Sequence, residues 1–387
     1  MRKTLCFLAF FCAGLIGHTQ VAPDVHAIHR DALVWDAHSD IVQSIYLQEM
    51  DFSHYNDYSF QDIPRMKAGG LDVQVFAMLP DRIYFPRRSA RRTLQLIDVM
   101  RETLHKYPND LELARTASDI ERISQAGKIA AILGIEGGHA IEDDLGLLRM
   151  YNRLGVTLMT LTHMNSNHWA DAATDVSLAD GLNAFGVEVV KEMNRLGMVI
   201  DVSHASDKTF LQVLEVSSDP VIASHSNCRT LCDHPRNMSD EMIKGLAAKG
   251  GVICVTTVPS YTTQAFKDAS DRILETKAAK PGSDSVSLDL DERAKQKRLT
   301  PILMPDMSLP TLDDVLVHID HIVKLVGPDH VGIGHDFSIL YPGPLDLEDV
   351  SKYTNLTRRL LTKGYTPEDI KKILGGNLLR VWRQVTE

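Results

Sequence analysis

The sequence is poor in cysteine and in aromatic side chains. It has 5 Cys among 387 residues, and Phe, Trp and Tyr together make up only 6%. Cys6 and Cys12 lie near the N-terminus, which leaves Cys228, Cys232 and Cys254 for the rest of the chain. This odd number does not indicate a disulfide framework. Two alternatives remain open: Cys228 and Cys232 pair in an oxidising compartment, or all three are free thiols with Cys254 buried in a strand.

Positive charge is also scarce. Asp and Glu outnumber Lys and Arg by 51 to 41, for a net charge of −10, and the sequence has no run of basic residues and no Arg interleaved with aromatics. We therefore expect no nucleic acid as a partner, because nucleic-acid binding needs a clustered positive surface. The overall composition, 44% hydrophobic and 24% charged, is typical of a globular protein.

Apolar runs long enough to cross a membrane are missing as well. The apolar core from Leu5 to Ile16 follows Arg2 and Lys3, which is the pattern of a signal peptide. This core is too short for a mature membrane anchor. An apolar C-terminal tail, which would indicate a lipid anchor, is not found. We predict that residues 1–22 are a signal peptide. The mature protein is then expected to be exported, periplasmic or secreted, without a transmembrane anchor.

Eight short apolar segments alternate with helical patterns along residues 23–387. Each is nearly continuous in Val, Ile, Leu or Ala, which is typical of parallel strands covered on both faces. Eight such strand-then-helix units predict one α/β domain with the (β/α)₈ TIM-like barrel fold. The predicted strands are Leu33–Asp40, Leu71–Leu79, Ile129–Glu136, Val156–Thr162, Met198–His204, Val221–His225, Gly251–Thr257 and His330–Asp336.

The segments between these strands have apolar residues at helical spacing and recognisable caps, such as Gly197 after one helix and Ser239 before another. The predicted helices are Arg87–Lys106, Ser118–Ala126, Glu142–Leu154, Asn183–Leu196, Ser206–Val216, Asp240–Lys249, Leu312–Val326 and Pro367–Leu374. A long polar insertion, residues 259–310, separates the seventh and eighth strands. It is expected on the active-site face, either as a lid or dimer contact or as a solvated loop.

Histidines and carboxylates stand at the C-terminal ends of these strands. A barrel brings such ends together around one mouth, where barrel enzymes have their catalytic residues. Side chains two apart on a strand point the same way, so His38 and Asp40 face one point, with Asp36 earlier on the same face. The polar side chains at or just after strand ends are His38, Asp40, Glu136, His139, His163, Asp201, His204, His225, His335 and Asp336.

Imidazole and carboxylate donors without thiolate indicate a catalytic site for zinc, manganese, iron or cobalt. There are more donors than one catalytic ion needs, so we expect two ions that share one carboxylate. Glu136 is the candidate bridge, because Gly137 and Gly138 after it leave room for metal and substrate. A water held between the ions would be nucleophilic near neutral pH, and Asp336 could transfer its proton to a leaving amine. The predicted reaction is amide hydrolysis.

Taken together, the motifs resemble the membrane (renal) dipeptidases, a family of zinc metallopeptidases with a binuclear barrel site related to the amidohydrolases. A His-x-Asp start and a glutamate bridge point to this branch, because ordinary amidohydrolases usually begin with His-x-His. The motifs, in the family's order, are Asp36-Ala37-His38-Ser39-Asp40, Ile135-Glu136-Gly137-Gly138-His139, Leu161-Thr162-His163 with Trp169-Ala170-Asp171, Asp201-Val202-Ser203-His204, Ser224-His225-Ser226, Arg236-Asn237 and Gly332-Ile333-Gly334-His335-Asp336-Phe337.

The resemblance implies how the two Zn²⁺ ions are bound. His38 and Asp40 would bind one ion, His204 and His225 would bind the other, and Glu136 would bridge them. A homodimer is also implied. Asp36 is interpreted as support for a ligand.

The resemblance further implies three residues that act on the substrate. His163 would hydrogen-bond the carbonyl oxygen and the tetrahedral intermediate. Arg236 would bind the C-terminal carboxylate of a dipeptide, a task suited to guanidinium, and Asp336 would handle the proton. Outside the family context, Arg236 could instead form a surface ion pair with Asp233 or Asp240, and His163 could be a structural donor. We interpret His139, His168 and His335 as structural or as support for the site residues.

Two motifs depart from the family pattern. The last motif usually continues Asp-Phe-Asp-Gly, whereas this chain has Asp336-Phe337-Ser338-Ile339. Strand seven usually ends in Asn-Phe-Tyr, with the Tyr lining the pocket, whereas this chain has Thr256-Thr257-Val258. Both departures concern substrate preference. The leading hypothesis is therefore an exported zinc dipeptidase for dipeptides, with L,D-dipeptides among the candidates. A metal-dependent deacylase of N-acyl amino acids is the alternative, and a non-catalytic barrel binding protein is the third.

Overall fold

The computed structural model describes residues 24–48, 51–56, 59–80, 88–278, 308–337 and 343–387. The expected signal peptide, residues 1–22, lies outside these ranges. The expected insertion, residues 259–310, is described as far as Ala278 and again from residue 308.

One parallel sheet organises the described part of the chain. Its main path runs β1-β2-β4-β5-β6-β7-β8-β9, and β3 pairs with β4 off this path. Because β9 lies beside β1, the sheet forms a nearly closed barrel, and the predicted (β/α)₈ fold is confirmed. The strands are β1 (Trp35–Ser39), β2 (Val73–Met78), β3 (Leu111–Leu113), β4 (Ile129–Glu136), β5 (Val156–Thr160), β6 (Val199–Asp201), β7 (Ile222–Ala223), β8 (Val252–Val255) and β9 (Val331–Ile333).

The alternation of side chains along the strands creates two apolar clusters. Trp35 and Val75 belong to an inner cluster that the C-terminal helix closes with Trp382, whose ring centroid lies 4.9 Å from that of Trp35. Val34 and Phe76, their neighbours in sequence, belong to the larger cluster that packs against the helices. Burial on both faces explains why these strands are apolar almost throughout.

Helices follow most of the strands. They are α1 (Val25–Asp31), α2 (Ile41–Gln48), α3 (Ile63–Ala68), α4 (Ser89–Lys106), α5 (Ala117–Gln125), α6 (Leu145–Arg153), α7 (Ala184–Leu196), α8 (Asp207–Val216), α9 (Asp240–Ala248), α10 (Pro259–Thr262), α11 (Gln264–Ala278), α12 (Leu312–Val326), α13 (Tyr353–Thr362), α14 (Pro367–Lys371) and α15 (Asn377–Thr386). The predicted caps are present: Ser239 accepts from the Met242 amide, and Gly197 ends α7 in the left-handed conformation.

The C-terminal helix differs from the prediction. The expected helix Pro367–Leu374 ends as α14, passes through a π-helical turn at Lys372–Gly376 and continues as α15. The cause is a close approach of two backbones, because a Cβ atom on Gly375 would lie 2.1 Å from the Leu33 carbonyl oxygen. The turn lets α15 place Trp382 in the inner cluster of the barrel, against Trp35.

Two backbone features shape the mouth of the barrel. The pairing of β1 with β2 is irregular between Asp36 and Ser39. At the ends of other strands, His204 and Asp336 adopt left-handed φ values of 68° and 58°. Non-glycine residues in this region persist only where their surroundings hold them, and such residues cluster at functional sites.

The structure also answers the question about the thiols. Cys228, Cys232 and Cys254 are all free and buried, so the free-thiol alternative holds. Burial raises the pKa of each thiol, to about 11 for Cys232. In the part of the chain that is described, no helix combines the length and apolarity needed to cross a membrane.

Candidate active site

Glu136, at the end of β4, lies at the centre of a buried cluster. Its Oε1 atom is 3.1 Å from Nε2 of His204, 3.4 Å from Nε2 of His225 and 3.9 Å from Nε2 of His163. Its Oε2 atom faces the other side of the barrel and is 3.5 Å from Nε2 of His38. One carboxylate thus faces imidazoles from four different strand ends.

His38 connects Glu136 with two further carboxylates. Its Nε2 atom lies 3.7 Å from Oδ1 of Asp40 and 3.9 Å from Oδ1 of Asp336. The irregularity of β1 between Asp36 and Ser39 lets His38 face the mouth of the barrel, although Val34, on the same alternation, packs outside it. The structure therefore brings together all seven side chains predicted as metal ligands or catalytic groups.

Electrostatics divide the cluster into neutral and charged members. Burial lowers the pKa of His225 to about 3 and holds that of His204 well below its usual range, so both imidazoles are neutral. Burial opposes ionisation of Glu136, but the charges of His38 and His163 outweigh it and hold its pKa well below the usual range. Burial raises the pKa of Asp336 well above that of an ordinary carboxyl.

Three buried polar atoms of this cluster have no hydrogen-bond partner among the described residues, and they converge on the same space. They are Nε2 of His38, Oδ1 of Asp40 and Oε2 of Glu136. Buried polar atoms are normally satisfied, so a convergent set without partners is the arrangement that cations fill.

The donor atoms also fit the number of ions expected. Three overlapping groups have donor atoms within 4.8 Å of one another, and Glu136 belongs to two of them. The groups are His38 with Glu136 and His225, Glu136 with His163 and His204, and His38 with Asp40 and Asp336. Nitrogen and oxygen donors in this number fit divalent transition-metal ions.

The reason for glycine at the two positions after Glu136 differs from the one predicted. They were expected to leave room for metal and substrate. Instead, a Cβ on Gly138 would lie 2.3 Å from the Trp169 ring, and one on Gly137 would lie 2.3 Å from the ring of His139. The glycines make room for the chain's own aromatic and imidazole rings, and that expectation was wrong.

A hydrogen-bonded chain supports His225, and the sequence reasoning did not assign it. Nδ1 of His225 lies 2.7 Å from the Ser224 hydroxyl, which donates to Oδ2 of Asp201 at 2.6 Å. Thr160 donates to the same carboxylate oxygen at 2.5 Å. With Ser224 donating to Asp201, His225 carries its proton on Nδ1, and Nε2 offers its lone pair to the cluster. The sequence contains one signal for this hydrogen-bonded chain, because Asp201 and Ser224 stand at the ends of neighbouring strands.

Arg236 lies beside this cluster and is 3% exposed. Its Nη2 atom donates to the His225 carbonyl oxygen at 3.2 Å, and its Nε atom has no partner among the described residues. Asp240 instead accepts from Thr230 and contacts His321, so the surface ion pair considered for Arg236 is not formed with it. A buried guanidinium without a carboxylate partner is suited to an anionic group of a ligand.

Tyr261 is a neighbour of Arg236 that the sequence reasoning missed. The guanidinium carbon lies 5.3 Å from the centroid of its ring. The Tyr261 carbonyl oxygen accepts from the side-chain amides of Asn227 and Asn237, at 3.2 Å and 2.8 Å. The chain has Thr256-Thr257-Val258 after β8, where the resemblance implies a tyrosine, and it places Tyr261 from α10 against the arginine.

The histidines interpreted as structural lie outside the three donor groups. His139 contacts the Pro80 carbonyl oxygen through Nε2 at 2.7 Å, and His168 contacts Asp143. His335 lies with its Nδ1 atom 2.6 Å from the Tyr353 hydroxyl.

A barrel whose strand ends converge on buried imidazoles and carboxylates defines the class of barrel metallohydrolases. Within that class, a sequence model of the membrane dipeptidase family, peptidase family M19, matches residues 23–387. The chain belongs to this family, and it is on that ground a hydrolase of the dipeptidase class.

Individual relatives agree with this assignment. An uncharacterised dipeptidase of Schizosaccharomyces pombe is 36% identical over 379 residues, which cover 92% of this chain and 81% of the relative. The dipeptidase verJ of Clonostachys rogersoniana is 33% identical over 329 residues, 83% of this chain and 74% of the relative. The crystal structure of the probable dipeptidase PvdM of Pseudomonas aeruginosa has a TM-score of 0.80 at 26% identity and covers 94% of this chain and 97% of PvdM.

Proposed function

We propose that the protein is an exported, zinc-dependent dipeptidase that hydrolyses the peptide bond of dipeptides at a two-ion site. The observation that carries this proposal is the direction of the two Glu136 oxygens: Oε1 lies 3.1 Å from Nε2 of His204 and 3.4 Å from Nε2 of His225, whereas Oε2 lies 3.5 Å from Nε2 of His38. One carboxylate with oxygens aimed at two sets of ligands is the arrangement that a bridging residue needs. His38 and Asp40 would hold one ion, and His204 and His225 would hold the other. When bound, the ions lower the pKa of a water molecule and polarise the scissile carbonyl group.

The side chains around the ligands orient the dipeptide. Arg236 binds its C-terminal carboxylate, and this interaction is supported by the burial of the guanidinium and by its unpaired Nε atom. His163, 21% exposed, lies at the edge of the cluster and donates a hydrogen bond to the carbonyl oxygen as negative charge develops there.

Asp336 moves the proton. Burial raises the pKa of its carboxyl group, so this group can accept a proton from the attacking water and return it to the leaving amine. Its Oδ1 atom, 3.9 Å from Nε2 of His38, places the carboxyl at the rim of the donor cluster.

Export and assembly complete the proposal. The match to the family begins at residue 23, directly after the proposed signal peptide, which supports residues 23–387 as the mature barrel domain. We further propose that this domain forms a homodimer in the periplasm or outside the cell. N-terminal sequencing of the exported protein and light scattering of the purified protein test these two statements.

A substrate panel with metal analysis tests the proposed activity. Purified enzyme is assayed against L,L- and L,D-dipeptides and against N-acetyl and N-formyl amino acids, and its zinc content is measured. We expect two zinc ions per chain, cleavage of dipeptides and loss of activity with a chelator. Preference for N-acyl amino acids would favour the deacylase alternative. A metal-free, inactive protein would favour the non-catalytic alternative.

A further inference from the structure

The seam between β1 and β9 is closed by a side chain. Among the described residues, no backbone pairing joins these two strands. Instead, Oδ1 of Asp36 accepts the His335 amide at 3.0 Å and the His38 amide at 3.2 Å. Asp36 and His335 have no exposed surface. One carboxylate oxygen therefore connects the backbone that carries His38 with the backbone that carries Asp336.

The peptide group after His335 is fixed as well. Its carbonyl oxygen accepts from the Thr257 hydroxyl at 2.8 Å, from the Thr257 amide at 3.2 Å and from the Thr256 hydroxyl at 3.3 Å. Thr256 and Thr257 follow β8 directly, so the end of this neighbouring strand holds the carbonyl side of the His335 peptide.

The His335 ring is held in addition to its backbone. It stacks on Phe337 with centroids 4.8 Å apart and an interplanar angle of 11°, and its Nδ1 atom contacts the Tyr353 hydroxyl. His335 is thus fixed at its amide, its carbonyl and its ring.

The residue that follows this clamp needs such support. Asp336 has a left-handed φ of 58°, a conformation that costs free energy and persists where neighbours determine it. Its carboxyl must also stay within reach of the ligand cluster, because small displacements of a catalytic group lower the rate strongly.

We propose that Asp36 and Thr257 are positioning residues, which hold the His335 peptide so that Asp336 stays in its left-handed conformation beside His38. This inference rests on the proton-transfer role proposed for Asp336. The Oδ1 atom of Asp36 accepts hydrogen bonds from both amides, so the positioning depends on an acceptor oxygen at this place and not on the charge of the carboxylate. Asn at this position has the same acceptor oxygen.

Kinetics of four variants of the zinc-loaded enzyme test this proposal. Thr257→Val removes the hydroxyl donor and keeps the side-chain shape, and Asp36→Ala removes the acceptor. We expect each to lower kcat by about 10- to 100-fold, the usual cost of losing support for a site residue, with KM little changed. Asp36→Asn is expected to retain most of kcat. Thr157→Val is the matched control, because Thr157 is buried and its hydroxyl has no partner among the described residues.

A fifth variant, Asp336→Asn, is measured in parallel. It distinguishes a failure of the positioning role from a failure of the proton-transfer role on which the positioning role rests. An inactive Asp336→Asn with wild-type kcat in Thr257→Val overturns the positioning role, even if Asp36→Ala fails to fold. An Asp36→Asn variant as slow as Asp36→Ala overturns the acceptor argument. Wild-type kcat in Asp336→Asn overturns the proposed proton-transfer role instead. A purely structural effect would lower the melting temperature without changing kcat per zinc-loaded molecule.

Discussion

The Nε2 atoms of His204 and His225 lie 2.9 Å apart, and both face the same oxygen of Glu136. Burial lowers the pKa of both imidazoles, so both rings are neutral at neutral pH, and the Nδ1 proton of His225 leaves the lone pair of its Nε2 atom directed at this space. A cation bound between these nitrogens and the carboxylate would satisfy all three atoms at once.

Metal binding is therefore expected to stabilise the fold. Removal of metal with a chelator should lower the melting temperature and abolish hydrolysis, and added Zn²⁺ should restore both, because a ligand that binds only the folded state stabilises it. Glu136→Gln keeps the shape but removes the charge, and we expect it to bind fewer than two ions per chain. Glu188→Gln is the control, since Glu188 forms an exposed pair with Lys191. Full zinc content in Glu136→Gln would contradict the bridging role.

The support of His225 by Ser224 gives a second prediction. Ser224→Ala removes the hydroxyl between His225 and Asp201, so the Nδ1 proton and the ring orientation lose their partner. We expect zinc affinity to fall by about 10- to 100-fold, measured by competition with a chelator of known affinity. Ser89→Ala is the matched control, because the Ser89 hydroxyl is buried without a partner in the described residues. Equal zinc affinity in both variants would show that Ser224 does not orient the ligand.

The fold could be predicted because its strands obey a simple rule. Strands buried on both faces read as apolar runs, and all eight barrel strands fall within the predicted segments. The short β3 (Leu111–Leu113) was missed because three residues at the edge of a sheet carry no periodic signal. The break in the C-terminal helix was missed because it depends on Gly375 meeting Leu33, a contact between the two ends of the chain.

The site was predictable only in part for a related reason. Chemistry at strand ends identifies donors such as Glu136 and His225, since the barrel brings those ends together. The supporting contacts depend on exact three-dimensional positions. Tyr261 reaches Arg236 through a short helix after β8, and Asp36 acts on two backbone amides through one oxygen. No spacing in the sequence indicates either contact.

Arg236 should control recognition of the substrate's free carboxylate. We expect Arg236→Ala to raise KM for dipeptides with a free C-terminus and to affect C-terminally amidated dipeptides little, because only the former offer an anion to the guanidinium. Arg236→Lys should recover only part of the affinity, since an ammonium group cannot form the bidentate pair. Steady-state kinetics on both substrate types measures the difference. The same loss on both types would refute carboxylate binding by Arg236.

Asp72, far from the metal ligands in the sequence, is expected to make stability depend on pH. Its carboxylate accepts the Val34 amide at 2.8 Å and the Ser124 hydroxyl at 3.2 Å, but burial dominates and raises its pKa from 3.8 to about 6. Between these values the folded state binds a proton that the unfolded state has released. The contribution of this group to stability is thus fully present below pH 3.8 and is lost as pH rises to about 6.

Asp72→Asn should remove this dependence. Asn can rotate its amide to accept from Val34 and donate to Ser124, so the fold is retained while the titration disappears. Denaturant unfolding of the wild type and the variant from pH 4 to pH 6 measures the effect as a difference between two curves, in which the contribution of the metal site cancels. We expect the variant to gain stability relative to the wild type as pH rises through this window. Asp180→Asn, whose side chain is 88% exposed, is the control and should keep the wild-type slope. Parallel curves for the wild type and Asp72→Asn would mean that Asp72 ionises alike in the folded and unfolded states.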